Sequence, residues 1–355
     1  MNVLIIGGTV FLGRHLTDAM VRRGHTVTHF NRGQSAPGGF PGIERLRGHR
    51  ERDLGLLAGR RWDAVIDTCA YYPRQTAASA AALRDSAGCY VLISTINQYS
   101  AFPVRGITED DPSEPEPSDG ARLDAVTYGP LKAGTERTVR DVFGDRALVV
   151  RPGYLVGPHD QSIRFSYWTR RLAAGGRVLV PGRPEAAWQV LDVRDLADWI
   201  GLMLETGRAG TFNAVGPAGD SSAGSLLTEM AGALAGDPHL DWVDAEYLQG
   251  HPNGRRWLDL ADWSCLPEKF RWLYAASNRK AVEAGLTFRP VGETARDMAA
   301  WLSQKMPLDG SDRLDPEGER GILEDWDRAR AGVQGGIDAA AGRLRGREAR
   351  DGFGV

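Results

Sequence analysis

Tyr128 and Lys132 stand four residues apart in "TYGPLKAGTE". If Pro130 lies in the first turn of a helix, both side chains leave one face. An ammonium beside a phenol favours the phenolate and draws the tyrosine pKa down from about 10 toward working pH. Such a tyrosine serves as a general acid/base. The spacing by itself is common on exposed helices, so its place in the chain must carry the reading. The second group is "GGTVFLG", residues 7–13. A strand-to-helix turn over a pyrophosphate must turn tightly, approach the phosphates and then let helix and sheet pack together. Gly7 suits the turn and Gly13 the close packing. Gly8 and Thr9 allow close approach and add a hydroxyl, and the helix beyond offers unpaired N–H groups. Val10 stands where such loops often carry another glycine; with Phe11 and Leu12 it completes the loop. Because an apolar strand precedes the loop and a helix follows, dinucleotide binding is favoured over a purely structural turn.

The end of the second strand, "HFNRGQ", bears on which dinucleotide. An Asp or Glu here would bind a ribose 2′-hydroxyl, whereas an arginine accommodates a 2′-phosphate. This chain has Asn31 and Arg32, with Arg14 just past Gly13. The expectation is NADP, with NAD as the alternative and an ordinary surface cation as the plain reading of Arg32.

The elements that must position these groups follow from pattern. The 355 residues, 42% hydrophobic and 25% charged, suffice for one large α/β domain or two smaller ones. A net charge of −3 gives no basic field toward nucleic acid or anionic membrane. Cys69, Cys89 and Cys265 show no CxxC spacing, and the seven histidines show no ligand spacing, so neither a disulfide framework nor a metal site is expected. That cysteine usage fits a reducing cytoplasm. No 18-residue apolar run is present, so no membrane span is expected. "NVLIIGG" reads as a buried strand and not as a signal peptide. Apolar runs at 3–6, 26–30, 62–67, 89–94 and 147–153 alternate with helical patterns after Gly13 and over 73–87 and 130–142. That order predicts a doubly wound parallel sheet of Rossmann type. A smaller mixed α/β part is expected C-terminal to it, with helices over 222–236, 278–285 and 291–305. The expected division is a dinucleotide-binding domain at 1–160, joined by 188–217. A substrate-binding part would comprise 161–187 and 218–310, and a C-terminal helix and tail 311–355. Segment 101–127, rich in Pro and acid, reads as a solvated loop or as a lid.

The order of six segments resembles the extended short-chain dehydrogenase/reductase superfamily, in its NAD-dependent epimerase/dehydratase branch. They are "GGTVFLGRHL", "WDAVIDTCAYYP", "VLISTINQYS", "YGPLK", "RPGYLVGPHD" and "LDVRDLADWI". The resemblance runs from residue 1 to about 305. It implies hydride transfer at a nicotinamide, with Tyr128 as acid/base and Lys132 holding the ribose. Thr95, four residues before Tyr99, would polarise the substrate oxygen, with Ser94 beside it. Thr68, Cys69, Ala70 and Tyr71 would border the cofactor, and Pro152 and Gly153 would lie by the nicotinamide. Asn97, His159, Arg164, Tyr167, Trp188 and Gln189 are the candidate substrate contacts. Ile96 and Asn97 stand where dehydratases of this branch carry Asp-Glu, which argues against water elimination. Tyr154 stands where sugar-nucleotide enzymes commonly carry Asn, which weakens a nucleotide-sugar substrate. Asp192, Arg194 and Asp195 read as a salt-bridged helix start.

The function expected is therefore an NADP-dependent carbonyl reductase or secondary alcohol dehydrogenase acting on a small polar metabolite. An NAD-dependent sugar or sugar-nucleotide epimerase that retains its cofactor is the alternative. A different class is a non-catalytic protein on the same fold, since chloroplast RNA-binding relatives share a "GGTxFxG" start and some regulatory relatives sense NADP without turnover. The net charge is poor for RNA, and the Tyr–Lys pair argues for turnover. Relatives often dimerise through a helix pair that would include 130–142.

Overall fold

The computed structural model describes residues 1–36, 38, 40–115, 117, 120–219, 221–304 and 315–331. The expected tail beyond 331 lies outside the described residues, whereas 316–331 is helical. Seven strands form one parallel sheet: β1 (Asn2–Ile6), β2 (Thr26–Asn31), β3 (Glu44–Arg47), β4 (Trp62–Asp67), β5 (Ala87–Ile93), β6 (Ala147–Pro152) and β10 (Gly210–Ala214). Their spatial order is β10-β6-β5-β4-β1-β2-β3. Strand β1 explains why the sheet is covered on both faces. Val3 and Ile5 enter one apolar core while Leu4 and Ile6 enter the opposite one. That is the two-residue period of a strand between two helical layers. One layer contains α1 (Phe11–Arg22) against α5 (Val193–Glu205); the other contains α2 (Pro73–Leu83) against α3 (Tyr128–Phe143). Leu16 and Met20 of α1 are fully buried with Leu196, Ile200 and Met203 of α5, each contributing about 1.5–3 kcal/mol of burial.

The chain order reverses between β1 and β4, and ligands of such sheets bind at the carboxyl ends of strands where this occurs. The Rossmann-type expectation holds, and β10 pairs in parallel with β6 at the edge of the sheet.

A second apolar core lies in the C-terminal part. It is built on β8 (Gly176–Pro181) paired with β11 (Pro238–Val243), α4 (Ile163–Ala174), α6 (Ala223–Ala233) and α10 (Val291–Ser303). The short pair β7 (Tyr154–Val156) and β9 (Val190–Asp192) links the two parts. Short helices α7 (Ala245–Gly250), α8 (Arg255–Leu260) and α9 (Arg279–Glu283) complete the set. Strands β8 and β11 and helix α4 had no expectation in the sequence, because their apolar residues face a core that period alone does not locate. Asp192 caps α5, accepting from the Arg194 N–H at 2.8 Å, and Arg289 pairs with Asp195 at 2.7 Å, as a salt-bridged helix start should. No described helix is long and apolar enough to cross a membrane.

The described residues of segment 101–127 are mostly exposed, as the solvated-loop reading expects, with two exceptions. Phe102 and Ile107 are buried in a small core with Tyr99 and Val215. The proline- and acid-rich composition hid these two apolar anchors.

Candidate active site

The glycine loop meets its steric demands without a glycine at position 10. Gly7 and Gly8 take positive φ, at 100° and 78°. Val10 is extended, with φ −123°, and 41% exposed, so a side chain there costs nothing. Gly13 is the tight contact: a Cβ built on it would lie 2.6 Å from the Gly8 Cα. The loop is braced from below. The Asn31 Nδ2 donates to the Gly7 carbonyl at 2.8 Å, and the Gly33 N–H donates to Asn31 Oδ1 at 2.9 Å. Thr17 donates to the Gly13 carbonyl and shares a 2.8 Å hydrogen bond with His29, whose ring packs under Gly8.

Burial holds the His29 imidazole down to about 4, with Arg45 adding to the shift. Between that value and the ordinary 6.5 the unfolded chain takes up the proton and the folded chain does not. The contribution is therefore complete above about 6.5 and is lost as pH falls toward 4. Thermal melts should show the wild type losing about 2 kcal/mol more than His29→Gln between pH 7.5 and 5. Equal losses would show that His29 is not held neutral.

A groove of about 560 Å³ runs along the carboxyl ends of β1, β2 and β4. Gly7, Thr9, Val10, Phe11, Leu12, Gly13, Asn31, Arg32, Thr68, Cys69 and Tyr71 all line it. Arg32 is exposed on the rim, and no carboxylate among the described residues pairs with it. His49 and Arg50 also line the groove. Arg50 has no counterpart among the sequence expectations. Its guanidinium pairs with buried Asp67 at 2.7 Å and donates to the Cys69 carbonyl and Ser79, while its Nε is buried without a partner. This ion pair holds the Arg50 pKa above its ordinary value and that of Asp67 below its own. Arg50 follows a four-residue edge strand, so only the register of β3 against β2 brings it under the groove. Burial pushes the Cys69 thiol up to about 11, so it is a wall and not a nucleophile.

Helix α3 begins at Tyr128 and contains Pro130 in its first turn. The Thr95 hydroxyl lies next to Tyr128, where it acts to lower the tyrosine pKa, and accepts from the Asn97 N–H at 3.2 Å. The Lys132 ammonium is fully enclosed and donates to the carbonyls of Ala70, at 2.7 Å, and Ile93. Burial lowers its pKa to about 8. The Tyr128 pKa is raised by its own burial and by Tyr71, and not lowered. This corrects the sequence expectation: the helix puts Lys132 one turn away, but two carbonyls take its charge. The Tyr71 ring lies 5.6 Å from the ammonium.

Beneath the pair lies a buried network that sequence reasoning missed. The Ser94 hydroxyl donates to Glu136 at 2.5 Å, Arg151 clamps the same carboxylate at 2.8 Å, and Arg151 also donates to the Tyr99 hydroxyl at 2.7 Å. Glu136 is one turn beyond Lys132, a spacing that carried the signal. Ser94 is thereby directed to Glu136, and Ala70 is fully buried and offers its carbonyl to Lys132. Pro152 is buried at the end of β6, and Gly153 packs between Val215 and Ile96, beside Thr95.

The expected substrate contacts separate. Tyr167 and Trp188 lie in the second core with Trp168 and Trp263, because their aromatic bulk fills the space between α4 and β8. His159 packs edgewise on His15 and against Trp301. Arg164 is half-exposed, paired with Asp262 at 2.9 Å and stacked 4.2 Å from the Tyr154 ring centroid. Asn97 stays exposed beside Thr95, and Gln189 lines a separate cavity. No group of three or more potential metal ligands occurs among the described residues.

Residues 75–216 match the NAD dependent epimerase/dehydratase family. The bovine (Bos taurus) epimerase family protein SDR39U1 is 28% identical over 257 residues, 66% of this chain and 81% of that protein. The chloroplast stem-loop binding protein of 41 kDa b from Arabidopsis thaliana is 24% identical over 55% of this chain and 53% of that protein. Two solved structures share the fold. WbmH of Bordetella bronchiseptica, in complex with NAD+, has a TM-score of 0.63 at 17% identity, over 85% of this chain and 98% of that one. Human SDR39U1, with NADPH, has a TM-score of 0.58 at 20% identity, over 84% and 99%. With the glycine groove, Tyr128 next to Thr95 and buried Lys132 at one end of the sheet, the chain carries an NAD dependent epimerase/dehydratase match over residues 75–216 and resembles NAD(P)-dependent enzymes of the extended short-chain dehydrogenase/reductase type.

Proposed function

We propose that this chain is an NADP-dependent oxidoreductase interconverting a carbonyl and a secondary alcohol on a small polar metabolite. The observation that carries the reading is a glycine groove whose β2 rim presents Arg32 and, among the described lining residues, no carboxylate, with Tyr128 next to Thr95 nearby. The cradle fits a dinucleotide: Gly7, Gly8 and Gly13 let the loop turn and pack closely on Thr68, His29 and itself, and α1 begins at the end of the loop. Arg32 would hold the 2′-phosphate and Lys132 the nicotinamide ribose. When bound, the cofactor supplies the hydride. Thr95 and Tyr128 together orient the reacting oxygen, and Tyr128, protonated at neutral pH because its pKa is raised, gives its proton to that oxygen during reduction. The first core, 1–160 with 188–217, would serve the dinucleotide and the second the substrate.

Nicotinamide fluorescence titrations test the cofactor assignment. Arg32→Ala should weaken NADPH roughly tenfold to hundredfold, for the loss of about 1.5–3 kcal/mol of charge-assisted hydrogen bonding, and leave NADH within twofold. Equal binding of both cofactors by the wild type overturns NADP. The similarity of fold to structures described as epimerases favours one second reading, a retained-cofactor epimerase. It predicts cofactor still bound after purification and turnover with none added.

A further inference from the structure

Four consecutive residues between β4 and α2 tie the glycine groove to Lys132. Residues 68–72 belong to no helix or strand, so their backbone groups must find partners elsewhere. The Thr68 hydroxyl donates to the Ile6 carbonyl at 2.9 Å and accepts from the Gly8 N–H at 3.4 Å, which joins the segment to the glycine loop. The Cys69 carbonyl accepts from Arg50 at 2.8 Å. The next carbonyl, that of Ala70, accepts from Lys132 at 2.7 Å, and the Tyr71 ring lies by the same ammonium. Two cations from distant parts of the chain thus hold successive carbonyls, with only the dihedrals of fully buried Ala70 between them.

Arg50 is a stiff support. Its Nη1 reaches Asp67 Oδ1 at 3.1 Å and its Nη2 reaches Oδ2 at 2.7 Å. Asp67 is fully buried and also accepts from the Tyr90 hydroxyl and the Cys69 N–H. The Arg50 Nη2 adds the Ser79 hydroxyl at 3.0 Å. A fork of this kind fixes a guanidinium in plane and direction, which an ammonium cannot reproduce. The turn that carries Arg50 is closed on itself: the His49 N–H donates to Asp53 Oδ2 at 2.7 Å, and the Asp53 N–H to the His49 carbonyl at 2.9 Å.

Lys132 has three N–H donors and no acceptor. The carbonyls of Ala70 and Ile93 take two of them, and their directions fix that of the third. Ile93 ends β5 and is held by the sheet, whereas the Ala70 carbonyl lies in irregular chain and depends on what braces it. We propose that Arg50 is a positioning residue for Lys132: through the Cys69–Ala70 peptide it sets the carbonyl that orients the ammonium, and so the one N–H left for the nicotinamide ribose. The proposal rests on the reading in which Lys132 holds that ribose.

The test is calorimetric titration of the full chain with NADPH and with adenosine 2′,5′-bisphosphate, the part of that dinucleotide without the nicotinamide ribose. Arg50→Lys keeps a positive charge beside Asp67 and gives up the fork. It should weaken NADPH by about tenfold or more and leave the bisphosphate within about twofold. In a Lys132→Met background the same substitution should change NADPH affinity by less than about twofold, because the group it acts through is gone. Arg50→Met with Asp67→Asn leaves neither charge buried alone and should repeat the pattern where Arg50→Lys fails to fold. Equal loss of both ligands would make Arg50 a wall of the groove or a support of the fold. A penalty that persists in Lys132→Met would show that it acts elsewhere. Either result, like unchanged NADPH binding in Arg50→Lys, overturns the proposal and leaves the cofactor reading standing. Wild type that binds neither ligand sinks that reading, and the proposal with it.

Discussion

Tyr128→Phe should lower turnover by about 10²–10⁴ and leave NADPH affinity within twofold. The expectation follows from what the hydroxyl touches. It lies next to Thr95, and Tyr128 is absent from the groove that would hold the dinucleotide. Removing one oxygen therefore deletes the proton donor without opening the cofactor cradle. The ring remains to fill the start of α3, where Gly129 packs so closely on the Asn97 carbonyl that a Cβ would lie 2.1 Å from it. Stability should change little. Single-turnover reduction under saturating NADPH is the decisive measurement, because it isolates the step in which the proton moves. Retention of more than a tenth of wild-type rate would remove Tyr128 from the acid/base role. A parallel loss of NADPH affinity would make it a cofactor contact.

Gly13→Ala should weaken NADPH at least 30-fold and lower the melting temperature. The new methyl would meet the Gly8 Cα, carbonyl carbon and nitrogen at 2.6, 2.9 and 3.0 Å. These are backbone atoms of a residue already at positive φ, braced by Thr17 and His29, so they cannot retreat cheaply. Overpacking of this kind costs about 1–3 kcal/mol, and it moves the N–H groups that face the phosphates. Val10→Gly is the matched control. Val10 is extended and exposed, so the glycine common at that place in other loops should not tighten NADPH beyond twofold. Gly13→Ala with wild-type affinity would show that the loop is not the phosphate cradle. Tightening by Val10→Gly would show that the valine obstructs it.

The groove and its supports differ in how far they were legible. Residues 7–13 and 31–32 are read from local pattern, since a strand, a glycine turn and a helix start need only neighbours in sequence. Lys132 was legible in position and misleading in effect. Helical spacing puts it beside Tyr128, yet the carbonyls that hold its charge come from Ala70 and Ile93, at the ends of two other strands. Arg50 and Arg151 carried no local signal, because their partners Asp67 and Glu136 are brought to them by sheet order. Tyr167 and Trp188 were misplaced for the converse reason: large aromatic residues near a site motif serve a core as readily as a pocket.

By itself the sequence determined the doubly wound sheet, the glycine cradle, and the presence of a tyrosine and a lysine one turn apart. Each depends on period, steric bulk or helical geometry within a few residues. Only the tertiary structure decided the electrostatics. Burial raises the tyrosine and lowers the lysine, and a guanidinium is drawn under the groove. Charge and solvation are set by whatever lies within a few ångströms, and in a crossover fold those neighbours come from distant parts of the chain.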